Sequence, residues 1–295
     1  SAAEQIMLGN CDTALAGGAE SMSRAGHLLT ESRSGQKMGD VVATDMMLGA
    51  LNDPFGNGHM GITAENVAKR GNIDRAAQDA FALESHRRAA RAIEQGRFKQ
   101  QILPIPVRRG REEVTFDTDE HVRPNLTEAD LTKLRPAFAK DGSVTAGNAS
   151  GINDGAAALV LMEAETAGAR GVTPMARIVA YGLGGVAPEV MGLGPVPATR
   201  QALERAGLQV SDLDVIESNE AFAAQACAVS ADLGLPAEKV NPNGGAVALG
   251  HPVGASGAIL LTKLLYELER ISGRYGLATM CIGGGQGIAL IVERG

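Results

Sequence analysis

One stretch near the C-terminus, residues 250–287, constrains the fold more than any other part of the chain. It reads GHPVGASGAILLTKLLYELERISGRYGLATMCIGGGQG, with leucine and isoleucine at helical spacing between two glycine-rich turns. The pattern predicts a helix of about five turns, followed by a strand over 277–281 that ends in a glycine triple. A helix that packs back on its own strand brings His251 and Cys281 to the same sheet edge, where an imidazole and a thiol can face one cavity.

Each of these two side chains also has a simpler interpretation. A histidine beside a proline is typical of a surface turn, and a cysteine in a strand is typical of a small buried apolar residue. The surrounding glycines favour a site, because glycine lets a backbone or a ligand approach closely. The glycine triple does not fit a dinucleotide-binding loop, since the sequence continues as IALIV, a strand, where that loop needs a helix.

The composition narrows the class of protein. The chain has 38 glycines and only 3% aromatic residues, which favours close packing of helices on sheets, as in layered α/β proteins. The sequence has no apolar run that could span a bilayer and nothing that reads as a signal peptide, so no membrane partner is expected. The 3 cysteines stand at unrelated spacings, which favours reduced thiols in the cytoplasm and no metal site. The net charge of −7 gives no reason to expect nucleic acid.

The charge is uneven along the chain. Between Lys69 and Arg111 there are eleven Lys or Arg and four acids, a local balance of +7. A solvated helix face accounts for such a run, and a site for a small molecule with several phosphates accounts for it equally well.

Residues 1–22 and 253–287 share one order of elements, namely helix, turn, strand and glycines. This order suggests a duplicated α/β unit. We predict three parts: residues 1–23 with 144–171 as the remainder of an N-terminal half, 24–143 as an inserted loop domain, and 172–295 as a C-terminal half. A short first strand is expected over residues 12–15, running into the glycines at 17 and 18. Helices are expected to begin after the capping residues Thr63 and Asp74. Residues 102–107, with their prolines, predict a short edge strand at most.

Four motifs in the chain resemble those of the thiolase family, in the thiolase order: GGAESMS at 17–23, SNEAFAAQ at 218–225, GHPVGASGA at 250–258 and CIGGGQG at 281–287. The stretches AGNASGINDGAAA and MGLGPVPA extend the resemblance across essentially the whole chain. It is similar above all to bacterial 3-ketoacyl-CoA thiolases of the biosynthetic or broad-range type. The resemblance implies an α/β fold with layers in the order α-β-α-β-α, duplicated α/β halves and an inserted loop domain.

The resemblance also implies a function. Thiolases are acyltransferases that cleave a 3-ketoacyl-CoA, or condense two acyl-CoA molecules, through an acyl-cysteine intermediate. Coenzyme A thioesters would be the substrates, with no cofactor and no metal. A role in fatty acid metabolism, a cytoplasmic location and a homodimer or homotetramer are expected on the same ground.

The chemistry needs a thiolate, a base for the carbon next to the thioester, and donors for the oxyanions. The resemblance gives His251 the activation of the nucleophile and Cys281 the acid and base role. Asn219 would hold a water in one oxyanion hole, and the Gly283 amide would serve the other. A thiol near an imidazolium is further expected to have a lowered pKa. The coenzyme A channel is expected to involve Ser150, Ala146, Phe138, Arg123, His59, Met60, Met191, Ala221 and Phe222.

The nucleophile itself has no match in the sequence. The resemblance places it in a CGSG-type turn at the start of the helix whose tail is residues 1–8, so it is expected upstream of this chain, and residues 1–295 alone are expected to be inactive. A truncated, inactive gene product is an alternative. A ketosynthase-type condensing enzyme is another, although such enzymes have histidine where this chain has Cys281. A non-catalytic acyl-CoA-binding or lipid-binding relative is the third.

Overall fold

A computed structural model describes residues 1–295. The first half opens with a helix and a strand, α1 (Ala2–Met7) and β1 (Thr13–Ser21). A long irregular segment then contains β2 (His27–Leu28), β3 (Thr44–Asp45), α2 (Met46–Ala50), α3 (Met60–Arg70), α4 (Arg75–Glu94), β4 (Ile105–Arg109), β5 (Glu112–Phe116) and α5 (Glu128–Thr132). The limits of the predicted inserted domain stay a prediction.

Regular alternation of strands and helices follows. The elements are β6 (Asp154–Met162), α6 (Ala164–Ala169), β7 (Arg177–Gly185), a 3-10 segment (Pro188–Leu193), α7 (Pro195–Ala206), β8 (Val215–Ser218), α8 (Ala223–Leu233), α9 (Ala246–Leu249), α10 (Ser256–Ile271), β9 (Tyr275–Ile282) and β10 (Gln286–Glu293).

Two sheets form the framework. In the smaller sheet β1 pairs antiparallel with β6, with Leu15 opposite Val160. The larger sheet has the order β7-β10-β9-β8, in which β8 and β9 are parallel and the other neighbours are antiparallel. Each half therefore carries a helix that leads into a strand with an antiparallel partner, α1–β1–β6 and α10–β9–β10.

Helices α1 and α10 lie between the two sheets. Helix α10 packs on β8 and β9 on one side and on β1 and β6 on the other. Helix α1 packs on β1 and β6, and its Glu4 accepts a hydrogen bond from Tyr181 of β7 at 2.8 Å. Helix α7 packs on β7, β10 and β9. Leu15 and Val160, on the outer face of the smaller sheet, are exposed.

The apolar spacing of α10 explains its position. Leu260, Leu264 and Leu268 follow one another at four-residue intervals, so they share one helix face, and all three are buried in a cluster with residues of β8, β9 and β10. The loop before α10 touches β1 closely. A side chain at Gly18 would overlap the carbonyl oxygen of Gly254, so only glycine allows this contact.

Two local predictions were wrong, and two were right. The glycines at 17 and 18 lie inside β1, which continues to Ser21, because small residues are needed where the strand faces its neighbours. Thr63 lies within α3 and its hydroxyl donates to the Met60 carbonyl; the helix is capped earlier by the His59 imidazole, which accepts from the Gly61 N–H at 3.0 Å. Asp74 caps α4 as predicted, with its carboxylate accepting from the Ala77 N–H.

The prediction for residues 102–107 was right in kind. They were expected to give at most a short edge strand, and β4, which begins at Ile105, is a five-residue strand paired with β5 alone. Part of the basic run nearby is used inside the protein. The Arg75 guanidinium donates to the carbonyl oxygens of Leu131 and Leu134, and Arg88 donates to that of Val240. A solvated face is thus not the whole explanation of the positive charge.

Candidate active site

Asn219 and Cys281 lie at the carboxyl end of two adjacent parallel strands. Ser218, the last residue of β8, pairs with Thr279 of β9, and the Asn219 N–H donates to the Thr279 carbonyl at 2.9 Å. Cys281 follows two residues later on β9, and Gly283 comes directly after that strand. Polar groups at this edge are where α/β proteins build sites. The predicted convergence of these segments is therefore present in the geometry.

His251 reaches the same place from a loop between α9 and α10. Gly250 begins the loop with φ 102°, a left-handed conformation that favours glycine. The His251 N–H donates to Asn153 Oδ1 at 3.3 Å, and the Gly254 N–H donates to Glu20 Oε2 at 3.1 Å. In this position His251 Nε2 lies 3.3 Å from Asn219 Nδ2. An imidazole and a carboxamide thus meet at the end of the larger sheet.

The hydrogen bonds around His251 define its tautomer. Ser256 Oγ lies 2.6 Å from His251 Nδ1 and 2.9 Å from the carbonyl oxygen of Pro252. A carbonyl can only accept, and the hydroxyl has one proton, so Ser256 donates to Pro252 and accepts from the histidine. Nδ1 therefore carries the proton. Nε2 then has a free lone pair, which matches an amide donor from Asn219.

Burial sets the protonation states of the imidazole and the thiol. It lowers the pKa of His251 to about 4 and raises the pKa of Cys281 to about 12. The expected lowering of the thiol pKa was wrong, because no cation stands beside the sulfur and the apolar surroundings disfavour the thiolate. At neutral pH the site holds a neutral imidazole and a protonated thiol.

Most of the predicted channel residues surround Cys281. A single buried cluster contains Cys281 with Met60, Met191, Ala221 and Phe222. Phe138 packs against it, edge-on to Phe222, and the His59 ring stacks on Phe138 with centroids 4.7 Å apart. Ser150 is tied to the cluster through its hydroxyl, which donates to the Ala221 carbonyl at 2.9 Å.

Two predicted channel residues, Arg123 and Ala146, lie elsewhere. Both line a cavity of about 220 Å³ together with His86 and His121. The Arg123 N–H donates to His86 Nδ1 at 3.1 Å. Burial lowers the pKa of His86 to about 4. This more polar cavity is lined by none of the residues of the Cys281 cluster. Nowhere in the chain do three or more His, Cys, Asp or Glu side chains gather as metal ligands would.

Family models for two thiolase domains match the chain. The thiolase N-terminal domain matches residues 1–165, and the thiolase C-terminal domain matches residues 172–294. The chain belongs to the thiolase family. The thiolase resemblance of the sequence motifs is confirmed.

Similar thiolases include several bacterial proteins. The chain is 63% identical over 295 residues to the beta-ketothiolase BktB of Cupriavidus necator, covering 100% of this chain and 75% of that protein. It is 53% identical over 298 residues to the acetyl-CoA acetyltransferase of Syntrophomonas wolfei, covering 99% of this chain and 75% of that protein.

Solved thiolase structures share the fold. The acetyl-CoA acetyltransferase of Bacillus anthracis superposes with a TM-score of 0.97 at 48% identity, covering 99% of this chain and 74% of that one. The human mitochondrial 3-ketoacyl-CoA thiolase in complex with CoA superposes with a TM-score of 0.95 at 43% identity, covering 99% and 73%. The predicted α/β, thiolase-like fold class is confirmed. None of the helices in this thiolase combines the length and the apolar character needed to cross a membrane.

Three residues that hold the His251 loop of this thiolase were not predicted as site residues. They are Ser256, Asn153 and Glu20. Two of them carried a usable signal, since Ser256 lies five positions after His251 in GHPVGASGA and Glu20 lies in GGAESMS. The signal at Asn153 was weaker, because it consisted only of a polar residue within a turn of small residues.

Proposed function

We propose that this thiolase transfers acyl groups between coenzyme A thioesters through an acyl-cysteine intermediate, either by cleaving a 3-ketoacyl-CoA or by the reverse condensation. The observation that carries the proposal is the 3.3 Å contact of the Asn219 carboxamide with His251 Nε2. On the adjacent strand, Cys281 lies two residues after Thr279, the residue that pairs with Ser218. The names of the relatives, a beta-ketothiolase and an acetyl-CoA acetyltransferase, support the reaction class. The neighbour in complex with CoA supports the substrate class.

His251 has the form that a general base needs. A neutral imidazole whose Nδ1–H is held by Ser256 presents the Nε2 lone pair, which can take the proton of a nucleophilic thiol. The resulting imidazolium carries a proton on Nε2 and can donate it to the thioester oxygen as negative charge develops there. Asn219, beside the same nitrogen, and the Gly283 N–H are proposed to complete the oxyanion sites.

Cys281 has the form that a general acid needs. In the cleavage direction a protonated thiol donates its proton to the carbon that leaves, and its raised pKa keeps that proton in place until then. In the condensation direction the sulfur must instead take a proton from the carbon next to the thioester. The thiolate needed for this step is also the species that cleavage leaves behind when the thiol gives up its proton, so burial disfavours it in both directions.

The apolar cluster around Cys281 is proposed to receive the acyl chain and the pantetheine arm. Its methionine and phenylalanine side chains, Met60, Met191, Phe138 and Phe222, offer adaptable apolar walls. The second cavity is lined by Arg123, whose cation suits a phosphate of coenzyme A. A role in fatty acid metabolism, a cytoplasmic location and a homodimeric or homotetrameric state stay predictions.

We further propose that the nucleophilic cysteine is supplied from upstream of residue 1 and that residues 1–295 alone are inactive. Cys227 is unsuited, because burial and the nearby Glu220 raise its pKa to about 11. Cys11 precedes β1, whereas the His251 loop meets the far end of that strand at Glu20. At about 3.3 Å per residue, nine residues of strand separate these points by roughly 30 Å.

The test uses the full-length protein with acetoacetyl-CoA and coenzyme A. We expect thiolytic turnover in the parent, and a loss of about 10²- to 10⁴-fold in Cys281→Ala, because that variant lacks the acid. The variant should still become acetylated by acetyl-CoA. Cys227→Ala is the matched control, because this half-buried thiol lies in α8 and its removal should leave turnover unchanged.

The position of the acetyl group decides the assignment. Mass spectrometry of the acid-quenched protein should find it on a cysteine outside residues 1–295, and a preparation of residues 1–295 alone should carry none. An acetyl group on Cys11, Cys227 or Cys281 would contradict the proposed roles. Binding of coenzyme A with neither acetylation nor turnover would identify a non-catalytic acyl-CoA-binding protein.

A further inference from the structure

A short segment, residues 239–241, runs alongside β8 on the side opposite β9. The Ile216 N–H donates to the Lys239 carbonyl at 2.9 Å, and the Asn241 N–H donates to the Ile216 carbonyl at 2.8 Å. At Asn241 the backbone leaves the strand direction with φ 45°. Without a further partner, the N–H and carbonyl of Ser218, next along β8, would be buried and unpaired.

The Asn241 side chain supplies that partner. Its Oδ1 accepts from the Ser218 N–H at 2.9 Å, and its Nδ2 donates to the Ser218 carbonyl at 2.8 Å. The carboxamide thus replaces the next peptide group of the strand. The second Nδ2 hydrogen goes to Glu220 Oε1 at 2.7 Å. Asn241 therefore forms hydrogen bonds to the residues on both sides of Asn219, namely Ser218 and Glu220.

The same carboxylate reaches the other half of the site. Glu220 Oε2 accepts from the Ser85 hydroxyl at 2.7 Å and from the Val247 N–H at 3.2 Å. Val247 lies in α9, which leads through one glycine to His251. The end of β8 and the His251 loop are thus joined through the buried Glu220 carboxylate. Both of its oxygens accept hydrogen bonds.

We propose that Asn241 is a positioning residue that sets the Asn219 carboxamide against His251 Nε2. It acts through Ser218 on one side and through Glu220 and the α9 segment on the other. Only asparagine offers one acceptor and two donors at this reach, since aspartate cannot donate and serine is too short. The inference rests on the proposed function for its catalytic consequence, while the positioning itself can be observed without turnover.

The chain offers a matched control two positions away. Asn243 is as deeply buried as Asn241, at 2% exposure each, and it also makes side-chain hydrogen bonds, to Arg97 and Glu267. It makes none to β8. Asn241→Ala and Asn243→Ala should therefore lower the melting temperature comparably, and melting curves of both variants establish that they fold.

Turnover should separate the two variants. Asn241→Ala is expected to lower kcat by about 10- to 100-fold with little change in KM, because small misplacement of a reacting group is costly. Asn243→Ala should stay within about twofold of the parent, because its side chain bonds Arg97 and Glu267 and makes no hydrogen bond to Ser218 or Glu220. In an Asn219→Ala background, Asn241→Ala should add less than about threefold, since the group it positions is already absent. A full, multiplicative loss in that background would overturn the proposal.

The imidazole nitrogen resonances of His251 test positioning without any reaction. In protein labelled with 15N-histidine, Asn241→Ala should shift the Nε2 resonance in the direction produced by Asn219→Ala, and Asn243→Ala should leave it in place. Asn241→Asp is similar in shape but has no hydrogen-bond donors, so it should shift the Nε2 resonance as Asn241→Ala does. It replaces Asn241→Ala in this test if the alanine variant does not fold. An unmoved Nε2 resonance in a folded Asn241 variant would overturn the proposal. A moved resonance with unchanged kcat would instead contradict the proposed role of the Asn219–His251 contact.

Discussion

The two sheets of this thiolase are built from the same unit but differ in what covers them. In the larger sheet, Leu277 of β9 and Ile291 of β10 are fully buried, with α7 and α10 packed on the sheet. In the smaller sheet, Leu15 and Val160 face each other across the β1–β6 pair and are 73% and 70% exposed. The strand sequences are similarly apolar. Within residues 1–295, helices pack on both faces of the larger sheet and on one face of the smaller sheet.

The candidate active site lies at the end of the larger, covered sheet. His251, Asn219, Cys281 and Gly283 all belong to residues 172–294, the match to the thiolase C-terminal domain. A site that depends on a neutral imidazole and a protonated thiol needs low polarity around it, and the covered sheet provides it. The smaller sheet reaches this site at one end, through Glu20 of β1 and through Asn153, which directly precedes β6.

The largest expected difference between the sheets is in stability. Leu264 of α10 is fully buried behind the larger sheet, so Leu264→Ala should lower the free energy of unfolding by about 2–5 kcal/mol. Leu15→Ala, the same truncation at an exposed position, should cost less than about 0.5 kcal/mol. Urea unfolding of both variants of the full-length protein measures this. Equal costs would mean that something outside residues 1–295 covers Leu15 in solution, and the contrast between the sheets would fail.

The next effect concerns the covered sheet alone. Ser256→Ala removes the acceptor of His251 Nδ1–H in a buried site, which should lower turnover by about 10- to 100-fold, corresponding to the 1–3 kcal/mol cost of an unpaired buried donor. 15N shifts of the imidazole would show whether the Nδ1–H tautomer is lost. Ser256→Thr, which keeps the hydroxyl, should recover much of the activity. Loss of activity with an unchanged tautomer would contradict this explanation.

Low pH should destabilise the folded protein by protonating the same histidine, His251. Because burial lowers the pKa of His251 to about 4, the folded state favours the neutral imidazole. Its contribution to stability is complete above the ordinary pKa of about 6.5 and is lost as the pH falls from there toward 4. His251→Asn should therefore lose less stability than the parent between pH 6.5 and 4, in urea unfolding at each pH. His86, whose pKa is lowered to a similar value, adds the same dependence in both proteins and cancels in the comparison.

Much of the covered sheet could be predicted from local pattern. The four-residue leucine spacing of α10, the strand after it, and the polar residues at the end of β8 are features of contiguous sequence, and the segments lie where predicted. The prediction placed Asn219 at the carboxyl end of its strand, and it brought His251 and Cys281 together through a helix that packs back on its own strand. The family motifs supplied the roles that spacing could not.

The remainder depended on contacts distant in sequence. Asn241 completes a strand that ends at Ser218, and no pattern around residue 241 indicates this partner. The thiol pKa was predicted with the wrong sign, because the motif shows a histidine near Cys281 but does not show that burial keeps the imidazole neutral. The glycines of β1 were taken as a strand end, although they serve close approach to the Gly254 loop.

The smallest expected effect tests the contact by which β1 of the smaller sheet reaches the site. Glu20 at the end of β1 accepts from the Gly254 N–H of the His251 loop at 3.1 Å. Glu20→Ala should lower kcat/KM by about 3- to 10-fold, as expected for one hydrogen bond worth 0.5–1.5 kcal/mol, while Glu20→Gln keeps an acceptor and should stay within about twofold. Asp154→Ala is the control, because Asp154 lies at the same sheet end and accepts from the Ser23 N–H at 2.9 Å without touching the loop. If both alanine variants lower kcat/KM equally, the smaller sheet acts on the site through its general stability; if only Glu20→Ala does so, this sheet takes part in aligning His251 even though its outer face is exposed.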